Sequence, residues 1–234
     1  MRSFWSEPFL WVHAAGLAAL PIFLGLCLMG LSVGDPVLPV GLEILLVATI
    51  GVLPIVWMQW SRPFYIFSLI AVAIKPGQLT PVQRQILALF KRQESKLVAI
   101  TGSALLIACL WQLYRLAPIA AGVAPFPSTW RLGGLLLAGL AFLGCNLFLL
   151  VPLSVFTVLL ATESTFAAIE PYAVEQIQHS FLIPGFQVNQ LLPKIVVPSQ
   201  PAPVSPLPPD FAAPPLASPP SGEDSSLGED ADPW

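Results

Sequence analysis

The chain has 234 residues, of which 56% are hydrophobic and only 10% charged, with a formal net charge of −3. A soluble globular domain carries about 25% charged residues, so the composition excludes an ordinary soluble fold and points to an integral membrane protein. The charge is also segregated: six of the ten basic residues lie between Arg62 and Lys96, and six of the thirteen acids lie at Asp210 or beyond. Neither arrangement is the broad basic surface that nucleic-acid binding requires, so no nucleic acid is expected as a partner.

The first apolar run covers 9–33, follows Arg2 and has Trp11 near its edge. That length crosses a hydrocarbon core of about 30 Å with some tilt. A cleaved signal peptide would have a shorter apolar stretch, a basic lead-in and a small-residue cleavage site. Here Glu7-Pro8 occupies the lead-in and no clear site follows, so the run is read as a retained helix. Gly34-Asp35-Pro36 is turn chemistry. The second span, 41–60, contains Pro54, which is expected to kink it, and ends on Trp57 and Trp60 at an interface.

After Arg62, the apolar segment 63–74 is too short to span and is read as interfacial or re-entrant. Thr80-Pro81-Val82-Gln83 then has the pattern of a capping box with proline in the first helical turn. It predicts an amphipathic helix over 81–96, lying on the membrane surface. Val82, Ile86, Leu89, Phe90 and Leu97 share one face, and Arg84, Lys91, Arg92 and Glu94 the other. The third span is 97–117 and the fourth 132–161. Thirty helical residues measure about 45 Å, longer than the core is thick, and a kink at Pro152 is expected. Residues 162–197 are read as a membrane-proximal cytoplasmic segment with a short surface helix over 171–182, where Ala173, Ile177 and Phe181 fall at four-residue spacing. Residues 198–234 form a proline-rich acidic stretch without Lys or Arg, whose composition predicts a disordered, low-complexity tail with polyproline II character. The predicted fold is therefore an all-α integral membrane protein: four transmembrane helices, a cytoplasmic amphipathic helix and a disordered Pro-rich acidic C-terminal tail.

Charge gives an orientation. The 34–40 loop has no Lys or Arg, whereas 61–96 carries Arg62, Lys75, Arg84, Lys91, Arg92 and Lys96. Positive charge marks the cytoplasmic side, which places both termini there. These six residues are the candidate contacts for anionic lipid headgroups or for an acidic partner. The acidic tail itself could fold back onto them as a clamp.

Within the spans, Asn146 is a candidate interhelical hydrogen-bonding residue. His13 reads as an interfacial or hydrogen-bonded histidine, Glu43 as a carboxylate complementing the dipole of its own helix, and Arg115 and Arg131 as side chains reaching out to headgroups. No second titratable group is evident at the depth of Glu43. Cys27, Cys109 and Cys145 fall in three different apolar runs without metal spacing and read as packed thiols. The pairs Ala15/Ala19, Ala104/Ala108, Gly134/Ala138 and Ala141/Cys145 have the small-xxx-small spacing that lets helices approach closely, within this protein or against another. No phosphate loop, nucleophile elbow or metal-spaced cluster is present, so neither an enzyme nor a cofactor is expected.

Three stretches carry a family resemblance: Phe4-Trp5-Ser6-Glu7-Pro8-Phe9-Leu10-Trp11, Gln59 through Ser68 with its Trp60-Ser61-Arg62-Pro63 core, and Lys75-Pro76 through Leu79-Thr80 and Gln83-Arg84 to Phe90-Lys91. Together they resemble a cyanobacterial family of low-complexity-tail membrane proteins, over about residues 1–195. The resemblance implies a thylakoid or plasma membrane location and carries no catalytic residues with it. The reading that follows is a non-enzymatic accessory or scaffold protein, assisting assembly or organisation of a larger membrane protein complex, with a soluble cytoplasmic partner for the tail. The alternative is a small transporter or channel subunit.

Overall fold

In the computed structural model, residues 3–69, 71–91 and 93–191 are described, with 93–96 as backbone only. The tail over 198–234 and the end of the 162–197 segment lie outside the described residues. After a 3-10 turn at Ser3–Ser6, the first span divides into α1 (Pro8–Ala15), a 3-10 stretch (Gly16–Ala19) and α2 (Leu20–Leu31). Pro21 accounts for the break. It has no N–H to donate to the Leu17 carbonyl, and its ring crowds that carbonyl, so the turn before it tightens. The second span is α3 (Val40–Ser61), helical through Pro54.

Two short strands follow, β1 (Ser68–Leu69) and β2 (Val72–Ile74), then α4 (Pro81–Phe90). The third span is α5 (Gln93–Leu116), prolonged by 3-10 turns over Ala117–Val123. The fourth is α6 (Arg131–Leu160), helical through Pro152. The chain closes with α7 (Glu163–Ala167), α8 (Val174–Ser180) and β3 (Phe186–Val188). Four helical stretches are long and apolar enough to cross a membrane: Pro8–Leu31, Val40–Ser61, Leu97–Val123 and Ser128–Leu160.

The fourth of these is the centre of the bundle. It packs against α2, α3 and α5, and 61% of its apolar window is buried, against 17–28% for the other three. Glycine makes the approach possible. A Cβ on Gly30 of α2 would lie 2.7 Å from the Ala138 nitrogen and 2.7 Å from the Gly134 oxygen of α6. On Gly51 of α3 it would meet the Phe142 ring at 2.5 Å. Gly134/Ala138 and Ala141/Cys145 therefore pack inside this bundle, whereas Ala104 and Ala108 face outward.

At the bundle end where α3 finishes and α5 begins, the chain builds a folded cap. β1 pairs antiparallel with β2, and β2 pairs parallel with β3 in the register Val72↔Phe186, Ala73↔Gln187, Ile74↔Val188. The Tyr65 amide donates to the Leu182 carbonyl at 3.1 Å, and Leu182 donates back to Pro63 at 3.0 Å. Beneath the sheet lies one apolar core, in which Phe4, Phe9, Tyr65, Phe67, Phe90, Phe166, Ile177 and Phe181 meet Val155 and Val158 of α6.

The cap corrects several expectations. Within the 63–74 segment, Phe64 and Tyr65 pair with Leu182, β1 with β2, and β2 with β3, so these backbones find partners that a lone interfacial segment would lack. The helix expected over 81–96 ends at Phe90, and α5 starts at Gln93. Its apolar face continues in register to Leu97, so periodicity alone could not mark the turn. Ile86, Leu87, Leu89 and Phe90 are buried in the protein core rather than presented to a membrane surface. The expected capping box is present: the Gln83 amide donates to Thr80 Oγ1 at 3.2 Å and the Thr80 amide to Gln83 Oε1 at 3.0 Å. The surface helix expected over 171–182 shortens to α8, and Ile177 and Phe181 are fully buried.

Candidate functional site

The basic candidates lie on the cap and its rim, in unequal surroundings. Arg62 and Lys75 are exposed, and the Lys75 amide donates to the Val188 carbonyl at 2.9 Å. Arg84 is half-buried, and its buried Nε has no partner among the described residues. Lys91 points into the cap: Nζ donates to the Tyr172 hydroxyl at 3.1 Å and sits 5.5 Å from the Tyr172 ring centroid and 5.8 Å from that of Phe181. Lys91 is thus engaged in holding α4 to α8, which leaves Arg62 and Lys75 as the exposed cations of the set among the described residues. Arg92 and the Lys96 side chain lie outside the described residues. On the same end, Gln83 Nε2 donates to Glu7 at 3.2 Å, tying α4 to the start of α1. Burial pushes the Glu7 carboxyl above its ordinary value of 4.5, against the opposing hydrogen bonds from Gln83 and Phe9.

In mid-bundle, Asn146 is fully buried. Its Nδ2 donates to the Phe142 carbonyl at 3.0 Å, and Ser103 of α5 donates to its Oδ1 at 3.4 Å. His13 Nδ1 lies 2.9 Å from the Phe9 carbonyl within its own helix. Cys27 and Cys145 are buried, all three thiols are free, and no metal-holding group of side chains occurs among the described residues.

The strongest polar constellation lies at the opposite end, where no sequence reading placed one. Arg131, in the first turn of α6, does not reach outward: it is 3% exposed, and Glu43 is fully buried. The guanidinium forms an ion pair with the Glu43 carboxylate, Nη2 to Oε2, with Nε at 3.2 and 3.3 Å from the two oxygens. Nη1 donates to the carbonyls of Leu31 at 2.6 Å and Val33 at 3.0 Å, the unpaired acceptors at the end of α2. Tyr114 of α5 donates to Glu43 at 2.8 Å, and the Val37 and Leu38 amides donate to Oε1 at 3.0 and 3.3 Å. One cluster thereby joins all four spans. Glu43 does lie in the first turn of α3, as expected, but its main partner is a cation on another helix. The available signal was positional. Spans two and four begin at the same end of the bundle, span three finishes there, and the three carry Glu43, Arg131 and Tyr114 at those ends.

Beside this cluster is a cavity of about 430 Å³ between the 31–36 turn and the 117–128 connection. Asp35, Tyr114, Phe126, Ser128 and Arg131 line it, together with small and proline residues. Gly34 closes one wall in the left-handed conformation (φ 61°), and a Cβ there would sit 2.1 Å from the Ser128 carbonyl oxygen.

Three membrane-length apolar helices around a buried fourth, with charge paired inside and apolar side chains such as Leu45, Leu53, Leu105 and Leu136 exposed outside, define an integral membrane protein. Residues 6–193 match the family described as low-complexity tail membrane protein-like, and the chain belongs to that family. The match stops shortly before the proline-rich acidic stretch. No curated protein and no solved structure matches the chain.

Proposed function

We propose that the protein is a non-enzymatic accessory or scaffold protein, which serves a larger membrane complex through its helices and its acidic tail. The observation that carries this reading is the weave of the cap. The stretch from Ile177 to Val188 is tied to the cap by β3 on β2 and by the burial of Ile177 and Phe181. A binding segment linked to a membrane domain meets that domain's neighbours at a raised effective concentration, and the exposed apolar side chains of α3 and α5 are the surface such a neighbour would contact. The positive-inside pattern puts the cap and tail in the cytoplasm, where Arg62 and Lys75 meet anionic headgroups. The resemblance to cyanobacterial proteins makes a thylakoid or plasma membrane the expected site.

The test is purification of the tagged protein in mild detergent, with and without residues 198–234, followed by identification of co-purifying chains. The full chain is expected to bring down a defined membrane complex or soluble partner that the shortened chain loses or holds weakly. A partner-free protein in both forms would overturn the proposal. A small transporter or channel subunit is the second reading, favoured by the cavity beside Arg131 and Glu43. It requires solute flux in reconstituted vesicles that Arg131 substitution abolishes.

A further inference from the structure

We propose that the cavity beside Arg131 is a binding site for a small organic cation, an alkylammonium group held by Asp35 and the ring of Phe126. Charge accounting leads there. Two charged side chains line the cavity, Asp35 and Arg131. The Arg131 guanidinium is spent: Nε and Nη2 face Glu43, and Nη1 faces the Leu31 and Val33 carbonyls. With Glu43 it forms a neutral pair, so it offers neither charge nor free donors to an anion. Asp35 has neither hydrogen bond nor ion pair among the described residues and stands exposed at the opening. The cavity is therefore left with one uncompensated negative charge.

The walls select the kind of cation. A hard divalent metal takes six or more oxygen ligands, no metal-holding group of side chains occurs among the described residues, and Glu43 is saturated by Arg131, Tyr114 and two amides. Apart from two serines and Gly34, the remaining lining is aromatic and aliphatic: Tyr114, Phe126, Leu31, Pro36 and Pro118 with three alanines. The Arg131 guanidinium already lies 5.8 Å from the Tyr114 ring centroid, which leaves the Phe126 ring beside the Asp35 carboxylate to hold an ammonium group through cation–π and charge attraction. A volume of about 430 Å³ suits a small molecule or a single lipid headgroup. The ammonium could thus arrive free in solution or on a lipid.

The experiment uses the full chain in maltoside micelles, which carry no ammonium group. Choline is titrated by calorimetry, in parallel with its neutral carbon isostere 3,3-dimethylbutan-1-ol and with inorganic phosphate. Saturable choline binding is expected, about tenfold or more weaker for the isostere, with no phosphate binding. Asp35→Asn and Phe126→Leu should each weaken choline, while Glu175→Gln, at an exposed acid of α8 at the other end, leaves it unchanged. In nanodiscs, weaker choline binding in phosphatidylcholine than in phosphatidylglycerol assigns the site to a lipid headgroup, and equal binding assigns it to a free amine. No saturable choline binding, equal binding of the isostere, or competition by phosphate would each overturn the proposal. The isostere comparison uses the wild-type protein alone, so it stands even if a variant does not fold.

Discussion

Replacing Arg131 by Met tests the polar cluster that joins the four spans. The substitution keeps an unbranched chain of similar length but removes every donor to the Glu43 carboxylate from α6 and uncovers the Leu31 and Val33 carbonyls. Glu43 is fully buried beneath the guanidinium, so the substitution leaves a carboxylate that has lost its only cationic partner among the described residues. Breaking a buried pair by removing one partner costs about 3–5 kcal/mol. In a chain of this size about 1 kcal/mol shifts the melting temperature by roughly 2–4 °C, so Arg131→Met should melt about 6–20 °C below wild type. The assay is thermal unfolding in maltoside micelles, followed by tryptophan fluorescence and checked by size-exclusion chromatography. The double variant Glu43→Gln/Arg131→Met carries no buried charge and should recover much of the loss. Arg131→Lys should fall between, because an ammonium cannot bridge the carboxylate and the two carbonyls at once. The reasoning fails if Arg131→Met melts within about 2 °C of wild type, or if the two substitutions simply add, since coupled groups deviate from additivity by about 0.5–3 kcal/mol.

Gly30→Ala places a methyl against the α6 backbone and should destabilise the bundle by about 1–3 kcal/mol, whereas Gly41→Ala meets open space and serves as the control in the same melt. Gly185→Ala should open the cap, because the residue has φ 65° and its Cβ would lie 1.8 Å from the Ala71 carbonyl that accepts from the Phe186 amide. Several-fold faster protease cleavage between residues 182 and 191 is the expected readout, and cleavage equal to that of Gly77→Ala would sink it. Glu7 gives a pH dependence. Its folded pKa is raised, so its contribution is full below the ordinary value of 4.5 and is lost as pH rises through the folded value. Glu7→Gln should therefore match wild type in acid and melt higher at neutral pH, and a parallel offset at both would count against burial as the cause.

The spans were legible because twenty or so apolar residues have few alternatives in a charge-poor chain, and the start of α4 was legible because a capping box is a local signal. The cap was not. Its strands are two and three residues long, too short for any alternating pattern, and β2 finds β3 more than a hundred residues away. Ile177 and Phe181 looked like the apolar side of a surface helix until Tyr65 and Phe67 were placed beneath them. Arg131 misled for a related reason. Beside Trp130 at a span end, a cation reads as reaching for headgroups, and only the packing of α2 and α3 around α6 brings the Leu31 carbonyl and Glu43 within its reach. Small-residue spacing was equally blind to side: Gly134/Ala138 packs within the bundle, and Ala104/Ala108 with the same spacing faces out.

The parallel pairing of β2 with β3 also sets an order of events during synthesis. Ile74 is made 112 residues before Phe186 (186 − 74 = 112), and the third and fourth spans lie between them. At about 5–20 residues per second, the first half of the cap waits on the order of 10 s for its second half. Throughout that wait the Tyr65, Ile66 and Phe67 side chains lack Ile177 and Phe181 as cover. A ribosome that stalls after the last span therefore leaves four inserted helices with an unfinished, sticky end, and completion of the cap reports that the whole membrane domain has been delivered.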